Sequence, residues 1–223
     1  MTELPGVLFD VDGTLLDTNY LHVVAWCRAF RRCGHPDASM ASIHRAIGID
    51  SKGLVQRLLG STDDEVIEAH AAAYIELRDE VKAFPGAADL VRRCRDAGLT
   101  VVLATSGEQD DLEWMLPAID AGDALAGAVT SADVDQGKPA PDLLTAGIDK
   151  FGLGRQRTVA VGDTVWDVEA AKKAGVPCVA LESGRYCPGG SRKGWGAPGI
   201  RRPSRTAGSL RRLAAGAAQR VIG

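Results

Sequence analysis

The stretch that decides the fold is Val7-Leu8-Phe9-Asp10-Val11-Asp12-Gly13-Thr14. Three apolar residues run without a break into two carboxylates and a glycine. A parallel strand buried on both faces reads as such a continuous run, and the abrupt change to acidic and turn residues marks its carboxyl end. The pattern recurs at Leu99–Ala104, ending in Thr105-Ser106-Gly107, and at Thr158–Val161, ending in Gly162-Asp163. Pro177–Leu181 is a fourth such run and Gly127–Thr130 a weaker fifth. Helical patterns fill the gaps at Ala87–Ala97, Pro141–Phe151 and Val165–Ala174, each followed at once by a glycine. Glycine there is the usual helix stop. Strand, polar loop, helix and glycine in repetition predict an α/β chain with a parallel sheet.

Residues 17–83 interrupt the alternation. They carry helical patterns at Leu21–Arg32, Met40–Ala46, Lys52–Leu59 and Asp64–Lys82, with no convincing strand. Phe84-Pro85-Gly86 then punctuates the return. The expectation is an all-helical insert after the first strand, with hinges near Asp17–Asn19 and Ala83–Gly86.

The chain has 223 residues, of which 45% are hydrophobic and 25% charged, enough apolar material for a buried core. No stretch nears the ~18 apolar residues of a membrane span, and the N-terminus lacks the basic start and apolar run of a signal peptide. The five cysteines are odd in number and none has zinc spacing, which points to free thiols in a reducing, cytoplasmic setting. The net charge of −3 hides an asymmetry: all 29 acidic residues lie before Ser183, whereas nine basic residues follow Glu182. Nine of the 26 glycines also lie from Ser183 onward. Residues 183–223 therefore form an atypical basic, Gly/Arg-rich tail, to be read apart from the body.

In a parallel sheet, ligands bind beyond the carboxyl ends of the strands. Asp10, Asp12, Thr105, Ser106 and Asp163 all fall there, Asp167 lies one helical turn past Asp163, and Lys138 sits in a loop before a helix. One like-charged pair at ~4 Å costs about 4 kcal/mol at an effective dielectric of about 20, so four converging carboxylates need positive charge among them. An all-oxygen donor set favours a hard cation, Mg²⁺ before Ca²⁺ or Zn²⁺. Mg²⁺ beside a lysine, hydroxyls and backbone amides suits a phosphoryl group. One of the two paired carboxylates could then attack phosphorus while the other moves protons.

These residues resemble the haloacid dehalogenase superfamily of aspartate-nucleophile phosphohydrolases, in its helical-cap branch. Asp10-Val11-Asp12-Gly13-Thr14 matches the family's first motif, Thr105 the second, Lys138 the third, and Gly162-Asp163-Thr164-Val165-Trp166-Asp167 the fourth. The match covers about residues 5–182, with the motifs in order. The resemblance implies a Rossmann-like parallel sheet core formed by 1–16 and 84–182, with 17–83 as a helical cap. It implies Asp10 as nucleophile and Mg²⁺ ligand, and Asp12 as general acid/base and backbone-carbonyl ligand. Thr105, the Ser106 backbone and Lys138 would hold phosphate oxygens. Asp163 would bind Mg²⁺ directly and Asp167 would order its surroundings. Cap loops in this family reach the site, which makes Asp50, Ser51 and Lys52 candidates for substrate selection; a helix-capping role competes for Asp50 and Ser51. His22, His35, His44 and His70, and Trp26, Trp114 and Trp166, read as exposed or packing residues.

The expected function is Mg²⁺-dependent hydrolysis of a small phosphorylated metabolite through an aspartyl phosphate, by a monomer or homodimer. A phosphomutase of the same branch and a non-catalytic binding protein disabled by its altered C-terminus are the alternatives. Relatives usually continue past the last strand with another strand and an acid-rich helix, which this tail does not resemble. Two readings of it stand: an out-of-frame translation of GC-rich codons, or a basic segment touching nucleic acid or another polyanion. The near absence of aromatic residues ranks the second lower.

Overall fold

The computed structural model describes residues 3–183. The expectations about the tail beyond Ser183 lie outside the described residues. Five parallel strands form one sheet: β1 (Leu4–Phe9), β2 (Thr100–Ala104), β3 (Gly127–Val129), β4 (Leu153–Gly162) and β5 (Cys178–Ala180), in the order β3-β2-β1-β4-β5. The protein thus has the Rossmann-like α/β architecture. Helices α1 (Asn19–Arg32), α2 (Met40–Ala46), α3 (Ser51–Leu59) and α4 (Asp64–Ile75) lie between β1 and β2, followed by α5 (Ala87–Asp96). The remaining helices are α6 (Leu112–Ile119), α7 (Asp142–Lys150) and α8 (Val165–Ala174). Among the described residues, no helix is long and apolar enough to cross a membrane.

The apolar run of β1 is explained by its central place. Val7 pairs with Val101 and Val159, Leu8 with Val102 and Ala160, and Phe9 with Leu103 and Val161. Side chains alternate along a strand, so Val7 and Phe9 join one core and Leu8 another. The first core includes Leu90, Val91 and Cys94 of α5 and Met115 and Ile119 of α6. The second includes Leu144 and Ile148 of α7 and Ala170, Ala171 and Ala174 of α8. With both faces covered, no position in β1 can be polar until the strand leaves the sheet at Asp10. The strand order reverses between β1 and β4, the place where open α/β sheets bind ligands.

A third core holds α1–α4 together around Trp26, Phe30, Ile43, Leu54, Val55 and Val66. The two chain segments that join these helices to the sheet run side by side. Asp17 N donates to Lys82 O, Phe84 N donates to Leu15 O, and Leu16 bridges Ala83 in antiparallel fashion.

Three elements differ from the sequence expectation. The helix predicted over Asp64–Lys82 stops at Ile75, and a 3-10 turn at Arg78–Glu80 brings the chain back to meet Asp17. β4 starts at Leu153 rather than Thr158, because Leu153 pairs with Leu4 ahead of a register shift. The polar Arg155-Gln156-Arg157 hides that early segment from a hydropathy reading. α6 carries Pro117 within it, which masks a helix that buries Leu112, Met115 and Ile119.

Phe30 is fully buried in the third core. Phe30→Ala is expected to lower the unfolding free energy by about 3–5 kcal/mol in a denaturant titration, the usual cost of an unfilled aromatic site. A loss under about 1 kcal/mol would show that this core does not hold α1–α4 together.

Candidate active site

Each acidic residue is placed by the end of a strand. Asp10 follows β1, and its N–H still donates to Val161 O of β4. Asp163 follows β4, and Thr164 then starts α8 with a reciprocal cap. Thr164 Oγ1 donates to Asp167 Oδ2 at 2.6 Å, and Thr164 N donates to the same oxygen at 3.0 Å. Asp167 N donates back to Thr164 Oγ1 at 3.3 Å, which satisfies a donor of the first helical turn, and the cap fixes the Asp167 carboxylate. One carboxylate oxygen from each of Asp10, Asp163 and Asp167 lies within 4.8 Å of the others.

Lys138 answers the charge problem this creates. Its ammonium donates to Asp10 Oδ1 at 2.5 Å and lies 2.8 Å from Asp167 Oδ1, with its side chain 2% exposed. The Thr14 hydroxyl lies 3.0 Å from Asp10 Oδ2 and 3.2 Å from Asp163 Oδ1, so its single proton is shared between them. Asn19 Nδ2 donates to Asp163 Oδ2 at 2.8 Å, while its Oδ1 is buried without a partner. Gly13 makes this approach possible at a backbone φ of +78°. A Cβ there would meet Asn19 Nδ2 at 2.2 Å and Asp163 Oδ2 at 2.4 Å.

One ammonium cannot neutralise three carboxylates. Burial and the charges of Asp167 and Asp12 push the Asp10 carboxyl up to about 7, despite the nearby lysine. Burial and the charges of Asp10 and Asp167 push Asp163 well above the usual carboxylate range. Burial opposes the charge on Lys138, but Asp10 and Asp167 outweigh it and hold the ammonium protonated. The cluster is short of positive charge.

The donor set fits a hard cation. It is all oxygen, and Asn19 adds an unpartnered buried carbonyl oxygen. Both Asp167 oxygens are already engaged, by Lys138 and by Thr164. Asp10 and Asp163 are held as well, by Lys138, by Asn19 and by the one Thr14 proton they share, so one of the two oxygens facing Thr14 lacks a donor at any moment.

Asp12 stands apart from this trio. Burial favours its neutral form, but His22 and a hydrogen bond from Thr18 outweigh burial and hold the carboxyl below its usual range. Thr18 Oγ1 donates to Asp12 Oδ1 at 2.6 Å, and His22 Nε2 lies 3.2 Å from the same oxygen. No sequence motif points to His22; the available sign is a histidine ten residues after Asp12, one helical turn before Trp26.

Thr105 is fully buried at the end of β2, where its N–H donates to Val129 O and its hydroxyl accepts from Gly107 N at 3.0 Å. Ser106 Oγ is buried without a partner. Of the three cap candidates, Asp50 is the N-cap of α3, accepting from Gly53 N at 2.8 Å. Its N–H donates to Lys138 O at 3.4 Å, and a Cβ on Gly137 would overlap it. Asp50 therefore joins the helical layer to the lysine loop. Ser51 is half-buried and Lys52 exposed.

Comparison with known proteins agrees with this geometry. A family model of haloacid dehalogenase-like hydrolases matches residues 4–175. The chain is 30% identical to phosphoglycolate phosphatase of Pseudomonas putida over 80% of this chain and 69% of that protein. It is 31% identical to validoxylamine A 7'-phosphate phosphatase of Streptomyces hygroscopicus subsp. limoneus, over 78% of this chain and 84% of that one. The crystal structure of a hydrolase from Pseudomonas syringae superposes with a TM-score of 0.85 at 32% identity, covering 94% of this chain and 99% of that chain.

Because the raised Asp10 group favours its protonated form in the folded state, it stabilises the protein most below the ordinary carboxylate range. That contribution is lost as pH rises toward about 7. Urea unfolding in EDTA is therefore expected to show stability falling between about pH 4 and 7, with a flatter dependence in Asp10→Asn. Equal slopes in the two proteins would remove Asp10 as the group responsible.

Proposed function

The chain belongs to the haloacid dehalogenase-like hydrolases and is a phosphoric monoester hydrolase; within that family, we propose that it hydrolyses a small phosphorylated metabolite through a phosphoryl group carried on Asp10. The observation that supports this most directly is the pairing of two carboxylates, two residues apart, in opposite surroundings. Asp10 lies against the Lys138 ammonium, whereas Asp12 lies against His22 and Thr18.

In this reading Asp10 and Asp163, with the backbone carbonyl of Asp12, hold Mg²⁺, and Asp167 orients that arrangement. When bound, the ion supplies the positive charge the carboxylates lack and keeps Asp10 ionised beside an anionic phosphoryl group. An Asp10 oxygen forms a bond to phosphorus as the ester P–O bond breaks. The departing oxygen takes a proton that Asp12 acquires as the phosphorylated substrate enters, and the donors from His22 and Thr18 stabilise the carboxylate left behind. Asp12 then accepts a proton from water as that water attacks phosphorus, and the P–O bond to Asp10 breaks. Inorganic phosphate leaves and both side chains return to their starting states. Lys138, the Thr105 hydroxyl and the backbone at Ser106 hold the phosphoryl oxygens throughout. The position of Asp50 against residues 137 and 138 lets the helical layer sense what lies in the site, with Ser51 and Lys52 as the neighbouring specificity candidates. Cys27, Cys33, Cys94 and Cys178 are free thiols, which supports the proposal of a reducing, cytoplasmic setting.

The test is turnover of p-nitrophenyl phosphate with and without Mg²⁺. Activity is expected only with the ion, and Asp10→Asn is expected to lower kcat by at least about 10³-fold. Asp163→Asn should abolish the gain in thermal stability that Mg²⁺ gives the wild type, about 2.7 kcal/mol at a hundredfold excess over Kd. Wild-type turnover in Asp10→Asn would overturn the assignment of the nucleophile.

A further inference from the structure

α1 and α4 each carry two rings one helical turn apart, His22 and Trp26 on the first, His70 and Tyr74 on the second. They pair in antiparallel order. His22 stacks on Tyr74 with centroids 3.9 Å apart, and Trp26 stacks on His70 at 3.8 Å with 11° between the planes. A polar contact ties the two rungs together, since His22 Nδ1 lies 3.3 Å from His70 Nε2. The other nitrogen of the same imidazole, Nε2, lies 3.2 Å from Asp12 Oδ1. The His22 ring is thus gripped on its face by Tyr74 and at both nitrogens by polar partners.

Proton counting fixes the Asp12 end of the chain. A carboxylate only accepts, so His22 Nε2 must carry hydrogen. At Nδ1 the direction follows the charge: a neutral His22 accepts there from His70 Nε2, whereas a protonated His22 donates there to a neutral His70. His70 is 8% exposed and can take either part at Nε2 without carrying charge. Burial and the neighbouring His22 keep it neutral, well below the usual imidazole range. Thr18 Oγ1 also donates to Asp12 Oδ1. Both side-chain donors therefore meet one oxygen of Asp12, Oδ1, and fix the carboxylate from that side.

We infer that His22 is a positioning residue for Asp12, itself held by His70 across the α1–α4 contact, so that the helical layer sets the aim of the proton-transferring carboxylate. A network built this way links the integrity of the third core directly to chemistry. The same helices that pack Trp26 and Phe30 hold the second carboxylate in register with the first. The inference rests on the assignment of Asp12 as acid/base made above.

The experiment compares His22→Phe, which keeps the stack and removes the donor, with His22→Gln, which keeps a donor and removes the ring. The Mg²⁺-loaded enzyme is assayed on phenyl phosphate and on p-nitrophenyl phosphate, whose leaving group needs less help from a proton. His22→Phe is expected to lower kcat about 10–100-fold on phenyl phosphate, less on p-nitrophenyl phosphate, with KM within about threefold. His22→Gln should recover most of that loss, and His70→Phe should lose several-fold. Nitrogen-15 NMR of the histidine side chains at pH 8, without metal, should show hydrogen on Nε2 of His22. Equal kcat in the Phe and Gln variants, a loss confined to KM, or a His22 Nε2 without hydrogen would overturn the inference. Asp12→Asn separates the two levels. If it is inactive while His22→Phe matches wild type, only the positioning role falls; if it keeps full turnover, the acid/base reading falls and takes this inference with it.

Discussion

The rest of this site depends on the buried contact of Lys138 with Asp10 and Asp167. Three carboxylates brought from two strand ends and a helix would drive the sheet termini apart if left to one another. One ammonium, almost fully buried, lets them approach. Its energetic value is not that of an isolated ion pair, because burying charge costs several kcal/mol per ion and one lysine serves an excess of acids. The arrangement is held by the fold and remains electrostatically unsatisfied. In the proposed mechanism that shortage is useful, since a site short of positive charge would take up a cation and then accept a phosphoryl group. A fully neutral ion pair at the same place would be more stable and less reactive.

Position in the sheet explains why the acids sit where they do. β1 is central and covered on both faces, so its interior admits only apolar side chains, and the first polar position is the one that leaves the sheet. β4 runs beside it in register, with Val161 opposite Phe9. Their first residues beyond the sheet therefore emerge next to each other across the reversal in strand order. Gly13 and Gly162 keep the adjoining backbone bare, since a Cβ on either would overlap Asp163, Asn19 or Asp167. The same constraint that makes the strand hydrophobic delivers the carboxylates to one point.

This is why so much was legible in the sequence. The strand ends, the order of Asp10, Thr105, Lys138 and Asp163, and the helical insert all follow from local patterns of apolar runs, acids and glycines. What local patterns could not carry is pairing between distant segments. The early part of β4 is held by Leu4 and hidden by three polar residues, and α6 is masked by an internal proline. Asp50, flanked by residues that also suit a cap, could be read either way until its contact with the Lys138 loop was seen. His22 and His70 were the largest gap. Each looks like an ordinary helix residue, and only the antiparallel packing of α1 on α4 brings the His70 ring to His22, whose other nitrogen meets Asp12.

The two carboxylates of the first motif sit in two opposite surroundings, which suits the two roles proposed for them. Asp10 is surrounded by other acids and burial, which raise its proton affinity, and by a lysine that partly offsets them. Asp12, two residues on, is reached by donors from α1 and the turn before it, which lower its proton affinity despite burial. The sheet therefore sets the environment of the first acid and the helices that of the second. A nucleophile must stay aligned on phosphorus, and rigid strand ends suit that task. A proton donor must meet the leaving group the substrate brings, and in the proposed mechanism that donor is aimed from the helical layer. The two supports are thus separate, so a change in the α1–α4 packing reaches Asp12 without moving the strand ends that hold Asp10 and Asp163.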